Sequence, residues 1–220
     1  MHFRDRRSAG KELAQQLRGS PYVNNTQSTI VLALPRGGVP VAFEIAQNLQ
    51  LPLDLVMVRK LGVPGNEELA LGAIADNEVC LLNQDIIRHL SIPDTTIKKI
   101  IVSETRELQR RRNTYCNGQP RPTLRNKTVI LVDDGCATGA NMRAAIQSVS
   151  RQGVNKIVVA VPVISEDAYK VLYPFTRKIV YLILPTPFFG VGHFYQDFSQ
   201  TSDAEVTLLL SQASLKKDTV

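Results

Sequence analysis

Short apolar runs alternate with stretches of helical period along most of this chain. Residues 30–34 are consecutively apolar, and a run of that kind between turn residues predicts a strand buried on both faces. Ala42, Ile45, Ala46 and Leu49 follow a glycine-containing turn, and their i, i+3, i+4, i+7 spacing predicts a helix. Residues 53–58 predict a second strand. Residues 72–75 and 79–82 predict short strands around an Asp76-Asn77 turn. A longer helix is predicted over 94–113, with Ile97, Ile100, Ile101 and Leu108 on one side. Its basic end, Arg110 to Arg112, suits a helix C-terminus, and Glu107 is spaced to pair with Arg111. After a loop over 118–122, residues 128–132 predict a strand. Met142, Ala145, Ile146 and Val149 predict a helix that stops near Gly153. Strands at 156–161 and 179–184 enclose a helical stretch at 166–172. At the start, Ala9, Leu13, Ala14 and Leu17 predict an amphipathic helix facing a core. Alternation of this kind predicts an α/β fold: a Rossmann-like, mostly parallel sheet with helices on both faces.

Composition narrows the setting without choosing a chemistry. An apolar share of 44% and a charged share of 21% are those of a folded chain. A length of 220 residues suits one core, so a single domain over 1–220 is expected. Lysine and arginine outnumber the acids 26 to 20, a formal charge of +6, which favours phosphate-bearing ligands. Cys80, Cys116 and Cys136 form no CxxC pair, which argues against zinc and a disulfide framework and predicts a reduced, cytoplasmic chain. Arg4, Arg6 and Arg7 open the chain, but Asp5 and Glu12 break the pattern of a transit peptide. The longest apolar run, 157–164, contains Pro162 and is far short of a bilayer span. Neither a helix-turn-helix pattern nor an aromatic-basic motif is present. Membrane and nucleic acid are therefore not expected partners.

Residues 129–141, Val-Ile-Leu-Val-Asp-Asp-Gly-Cys-Ala-Thr-Gly-Ala-Asn, carry the chemistry. The apolar strand ends on Asp133 and Asp134, and in an open α/β sheet ligands bind beyond the carboxyl ends of strands. Successive strand residues face opposite sides, so both acids reach one ligand only where the chain bends, as Gly135 permits. Ala137, Thr138, Gly139, Ala140 and Asn141 then lead into a helix. Its free N–H groups and dipole, with the Thr138 hydroxyl, make a phosphate cradle. Acids followed by a phosphate cradle suit a ligand with hydroxyls on one side and a phosphate on the other, which is the form of a ribose 5-phosphate. No lysine follows Gly139 as a Walker A loop requires, and GxGxxG is absent.

This segment resembles the motif of type I phosphoribosyltransferases that binds 5-phosphoribosyl-1-diphosphate (PRPP): a hydrophobic strand, two acids, three spacers, then Thr-Gly-x-Thr. Asn141 stands where the family pattern usually has threonine. The start (Phe3 to Arg6, Ala9-Gly10) and the tail over 199–206 also resemble a group of stand-alone bacterial predicted phosphoribosyltransferases. The resemblance implies the fold of that family, with a core at about 28–184 and a hood built from 1–20 and 185–200. It implies that Asp133 and Asp134 hold the ribose hydroxyls and that Gly135 and residues 137–141 surround the 5′-phosphate. Mg²⁺ would meet the two acids indirectly, through PRPP and water.

Three flanking segments complete the expected site. Arg36, Gly37 and Gly38 follow the first strand; the glycines let backbone approach an anion and Arg36 adds charge, although such a sequence is equally an ordinary turn. In the resemblance it is the diphosphate loop. Residues 59–70 open with Arg59 and Lys60 and contain two glycines and Pro64. They predict either a mobile lid or a solvated connection; in the resemblance they cover PRPP, with both cations near the diphosphate. The tail over 185–198 concentrates aromatics. Phe188 and Tyr195 would stack a planar base in the hood, or else join a hydrophobic cluster that closes the sheet edge. His193 reads as structural and Cys136 as a small filler, while Asp197 and Glu67 are guesses for a general base. The implied activity is Mg²⁺-dependent transfer of phosphoribose to a nucleobase or amine by a homodimer, with Arg36, Arg59 and Lys60 steadying the departing diphosphate. The rivals are a non-catalytic PRPP- or nucleotide-binding regulator and a hydrolase of a ribose phosphate.

Overall fold

The computed structural model describes residues 2–23, 27–116 and 122–215. In chain order its elements are α1 (Arg6–Leu17), β1 (Thr29–Ala33), α2 (Gly38–Leu49), β2 (Leu53–Leu55), β3 (Val58–Val63), β4 (Asn66–Ala75) and β5 (Val79–Leu82). There follow α3 (Gln84–His89), α4 (Asp94–Cys116), β6 (Thr128–Val132), α5 (Ala140–Ser150), β7 (Lys156–Val163), α6 (Glu166–Leu172), β8 (Lys178–Ile183) and α7 (Asp203–Leu215).

Five strands form one wholly parallel sheet in the order β2-β1-β6-β7-β8. Alternate side chains feed two separate cores, as the pleat demands. Val31, Ala33, Ile130, Val132, Val158 and Ala160 pack towards α1, α2 and α7. Ile30, Leu32, Val129, Leu131, Val159 and Val161 pack towards α5 and α6. Both faces are covered by helices, which is why these strands carry apolar residues at successive positions.

The run at 53–58, expected as one strand, is divided. Leu53 to Leu55 pair with β1, and the chain then leaves the sheet at Val56-Met57 to begin β3 of a separate antiparallel sheet, β3-β4-β5. The junction is pinned by main chain: Val56 N–H donates to Ala33 O at 3.0 Å and Asp76 N–H to Met57 O at 3.0 Å. Asp76 Oδ2 accepts from Met57 N–H at 3.0 Å. Val56 and Met57 are both buried, so hydrophobicity alone carries no mark of the break.

Residues 59–70, expected as a loop, are mostly strand. Arg59 pairs with Ile74 and Lys60 with Ala73, and the register shifts around Gly62 before the two-residue turn Pro64-Gly65. Gly65 takes φ +78° there. The strand expected at 72–75 accordingly begins at Asn66. The loop expected over 118–122 lies, Pro122 apart, outside the described residues.

The chain ends meet at the sheet edge. Phe3 bridges Tyr195, and the two rings lie 5.4 Å apart. α1 crosses α2 in backbone contact, since a Cβ on Gly10 would come 2.6 Å from Val41 O. Among the described residues no helix is long and apolar enough to cross a membrane.

Candidate active site

β1 and β6 are adjacent, and each ends in a turn that opens a helix: α2 after Gly37 and α5 after Gly139. Two helix N-termini therefore stand side by side at the sheet's C-terminal rim. The chain passes from β1 outward to β2 and from β6 outward to β7, which makes this the switch point of the sheet. Among the described residues the N–H groups of Arg36, Gly37, Ala137 and Thr138 donate to no protein acceptor. Free N–H groups and two converging positive dipole ends favour an anion.

The second turn is shaped from within. Gly139 adopts φ +79°. Cys136 N–H donates to Val163 O at 2.9 Å, and Ser165 Oγ donates to Ala137 O at 2.5 Å. Cys136 is a buried filler, and burial, with the neighbouring Asp133 charge, pushes its thiol up to about 12. Thr138 is exposed. Asn141 Oδ1 is buried with no hydrogen-bond partner among the described residues, an unmet acceptor inside the cradle.

The two turns are in contact through the acids. A Cβ on Gly37 would overlap the Asp134 carboxylate; one on Gly38 would lie 2.6 Å from Val132 O and 2.9 Å from the Asp133 Cα. Both glycines are thus required for close approach, independently of any ligand. Asp133 Oδ1 accepts from Asp134 N–H at 2.9 Å. Asp134 Oδ2 also accepts from Arg6 Nε at 2.8 Å. Burial raises both carboxyls, Asp133 well above the usual range, with the charge of Asp134 its second cause. For Asp134 the opposing pull comes from Arg6. The charge of each carboxyl bears on the ionisation of the other, so the two do not titrate independently.

Asp134 opens into a cleft of about 910 Å³ that Arg6, Arg36, Gly37, Arg59 and Lys60 also help to line. The cations are held by carboxylates from other elements. Arg59 Nε donates to Glu104 of α4 at 2.7 Å, and Arg36 Nη1 lies 3.4 Å from Asp203 Oδ1 at the start of α7. Tyr115 donates to the same Asp203 oxygen at 2.6 Å. Arg59 and Lys60 reach the cleft from strand β3 rather than from a loop.

The predicted residues thus separate into two sets. Gly37, Arg36, Arg59, Lys60 and Asp134 line the cleft, whereas Gly38, Asp133, Gly135 and 137–141 are not among its lining residues and follow or precede them along the two rim turns. Phe188 and Tyr195 are not among the cleft-lining residues. Phe188 packs near Phe194, with ring centroids 6.1 Å apart, while Tyr195 is buried and donates its hydroxyl to Asp134 O at 2.6 Å. Tyr195 joins Phe3 and Ala9 in the cluster that closes the edge. Among the described residues the aromatic that lines the cleft is Phe198, stacked on Tyr195 at 5.0 Å. Glu67 lines the cleft, whereas Asp197 is exposed outside it and accepts from Ser199 N–H at 2.9 Å. His193 is exposed beside Phe189. Arg6, Glu104 and Phe198 were not singled out for the site by sequence. Each acquires its place through contacts distant along the chain, and none lies in a turn motif.

A profile described as "Phosphoribosyl transferase domain" matches residues 5–177. "Putative phosphoribosyl transferase Rv0571c" of Mycobacterium tuberculosis is 42% identical over 211 residues, which cover 96% of this chain and 47% of that protein. "Putative phosphoribosyl transferase MT0597", from a second strain, matches to the same extent. The chain thus spans about half the length of these curated relatives. The crystal structure of TT1426 from Thermus thermophilus superposes with a TM-score of 0.78 at 39% identity, covering 96% of this chain and 99% of that one.

Proposed function

This chain belongs to the phosphoribosyl transferase domain family, and from that premise we propose that it transfers phosphoribose from PRPP to a nitrogen acceptor, a nucleobase or small amine, with release of diphosphate. The observation that carries the reading is the carboxyl pair Asp133–Asp134 wedged between two helix N-termini with free N–H groups. One ligand with vicinal hydroxyls between two phosphate groups meets all three.

In this reading the C1–diphosphate bond breaks with oxocarbenium character at the anomeric carbon, so no covalent nucleophile is required. The N–H groups of Arg36 and Gly37, with the side chains of Arg36, Arg59 and Lys60, stabilise the negative charge that develops on the leaving group. The N–H groups of Ala137 and Thr138 hold the 5′-phosphate. Asp133 and Asp134 orient the ribose hydroxyls and offset the positive charge on the ring. Among the described residues no group of three or more His, Cys, Asp or Glu side chains gathers to hold a metal. Two carboxylates fit Mg²⁺ only as Mg²⁺ is commonly held, chiefly by substrate phosphates and water; bound there, it would supply further charge neutralisation at the diphosphate.

Of the carboxylates lining the cleft, Asp134 is engaged by Arg6 and Glu104 by Arg59. Glu67 is left as the candidate to take the acceptor's proton. That thin provision for base catalysis favours a second reading, ligand sensing without turnover. The test is diphosphate release from PRPP and Mg²⁺ in a screen of nucleobases and small amines, run beside calorimetry with Mg-PRPP. Binding with release on one acceptor supports transfer, and binding with no release on any supports sensing. An unchanged affinity in the Asp133→Asn/Asp134→Asn double variant would remove the acids from the site.

A further inference from the structure

Arg6 and Arg111 are the cleft-lining cations with no part in the scheme above; Arg111 is held within α4 by Glu107 at 2.7 Å, whereas Arg6 grips one of the two acids. Arg6 sits at the first position of α1, and its side chain is 11% exposed. Nε donates to Asp134 Oδ2 at 2.8 Å, Nη1 donates to Ser199 O at 2.7 Å, and the guanidinium carbon lies 4.0 Å from the Phe198 ring centroid. A guanidinium is a rigid plane with donors in fixed directions. One edge on a carboxylate, another donor on a carbonyl and a face on an aromatic ring therefore fix both its position and its tilt.

Asp134 is gripped on its other side too. Its carbonyl accepts the Tyr195 hydroxyl at 2.6 Å, so side chain and main chain are both held by residues outside the sheet. Asp133 receives no such hold: its Oδ1 accepts from the adjacent Asp134 N–H. The α1 end of this arrangement is itself anchored, since the neighbouring Arg7 donates to the buried Glu44 of α2 at 2.6 Å.

We propose that Arg6 is a positioning residue for the transfer, which acts through Asp134 and couples the seating of residues 195–201 to the readiness of the acid pair. This rests on the reading of Asp134 as a ribose ligand. Arg6 fixes which Asp134 oxygen is turned to the cleft, and Tyr195 fixes the peptide that carries it. A direct contact of Arg6 with diphosphate is the competing role, and a plain staple between the chain ends is the other.

A double-mutant cycle on the full chain separates the three, with Mg-PRPP as the calorimetric probe and thermal unfolding as the control. Arg6→Gln should weaken Mg-PRPP about 10-fold in the parent and less than about 2-fold in an Asp134→Asn background, because the residue it acts through is already altered. Equal losses in both backgrounds, with inorganic diphosphate weakened likewise, would mean a direct ligand and overturn the proposal. A lowered melting temperature with unchanged Mg-PRPP affinity would reduce Arg6 to a staple and overturn it as well. Should Arg6→Gln fail to fold, Tyr195→Phe keeps the ring and removes one hydroxyl. A loss of about 3-fold in the parent, absent in the Asp134→Asn background, supports the coupling; no loss overturns it. If the parent itself does not bind Mg-PRPP, the ribose-ligand reading fails and takes this proposal with it. Parent binding with additive losses sinks the role of Arg6 alone.

Discussion

The rim that carries Gly37, Gly38, Asp133 and Asp134 is fixed by main-chain packing, whereas the β3–β4 hairpin reaches the same cleft through side chains braced by α4. On the rim a single added methyl collides with a carboxylate or a carbonyl. On the hairpin, Arg59 is tied to Glu104 by an ion pair with each side chain about one quarter exposed, 25% and 24%. The contrast separates two ways of building a site. One wall derives its shape from the core and has little room to vary. The other places charge with side chains that retain rotamer freedom and some contact with water. Changes to the rim should therefore alter fold and binding together, and changes to the hairpin should alter binding alone.

The strongest way to break this comparison is Gly38→Ala. Its Cβ meets Val132 O and the Asp133 Cα, so we expect a cost of about 3 kcal/mol and a fall in melting temperature of about 6–12 °C. Mg-PRPP binding should vanish with it. A variant that melts with the parent would mean that the rim yields, and thermal unfolding followed by circular dichroism decides the matter.

Next comes Asp133→Asn, which should weaken Mg-PRPP about 100-fold, since on the proposed reading a charged hydrogen-bond partner of the ribose is lost. It should also raise the melting temperature by a few degrees at pH 7.5, because a buried acid no longer has to ionise. The sign follows from the direction of the shift. A carboxyl raised by burial contributes stability that is complete below its unfolded value of about 4 and is lost as pH rises towards the folded value. The advantage of the variant should therefore grow from about pH 4 upward, and a flat difference between pH 4 and 8 would contradict the raised Asp133 carboxyl.

Arg59→Gln sharpens the other side. We expect a loss of about 10-fold in Mg-PRPP affinity with a melting temperature within about 2 °C of the parent, as partly exposed ion pairs contribute little to stability. A large fall in stability would place the hairpin in the same class as the rim. The smallest effect on stability belongs to Glu107→Gln, which lies behind the cleft-lining Arg111 and does not itself line the cleft. Hydrogen bonds from Arg110 and Arg111 hold the Glu107 carboxyl down to about 2, and solvent screening limits the loss to about 0.5 kcal/mol. A lowered carboxyl contributes stability above its unfolded value of about 4.3 and loses it as pH falls towards 2. The difference between parent and variant in urea unfolding should accordingly be present at pH 7 and gone near pH 2.

Much of this arrangement was legible in sequence because single elements carried their own signals. The apolar run before Asp133, the acids and the Thr138-Gly139 turn lie within one stretch of chain, and the strand found there has the bounds predicted. The helix expected over 166–172 likewise matches α6. The hairpin was missed because Arg59 and Lys60 interrupt the apolar alternation and the register shifts at Gly62; the Pro64-Gly65 pair between two paired segments was the signal available. The division of 53–58 left no trace, since both sides of it are buried. Arg6 and Tyr195 matter through partners at 134 and 199. Partnerships of that range are set by the folded sheet, not by local pattern.

The pairing of Thr29 with Thr128 and of Ala33 with Val132 bears on how a working molecule arises during synthesis. The half of the cleft that follows β1 leaves the ribosome long before its acids exist, and nothing brings the halves together until the chain between them has been closed into a loop. Contacts of such long range form slowly. If the proposed reading holds, a nascent chain that has not reached β6 offers ribose phosphate no grip, and ligand protects against unfolding and proteolysis only once both halves are joined.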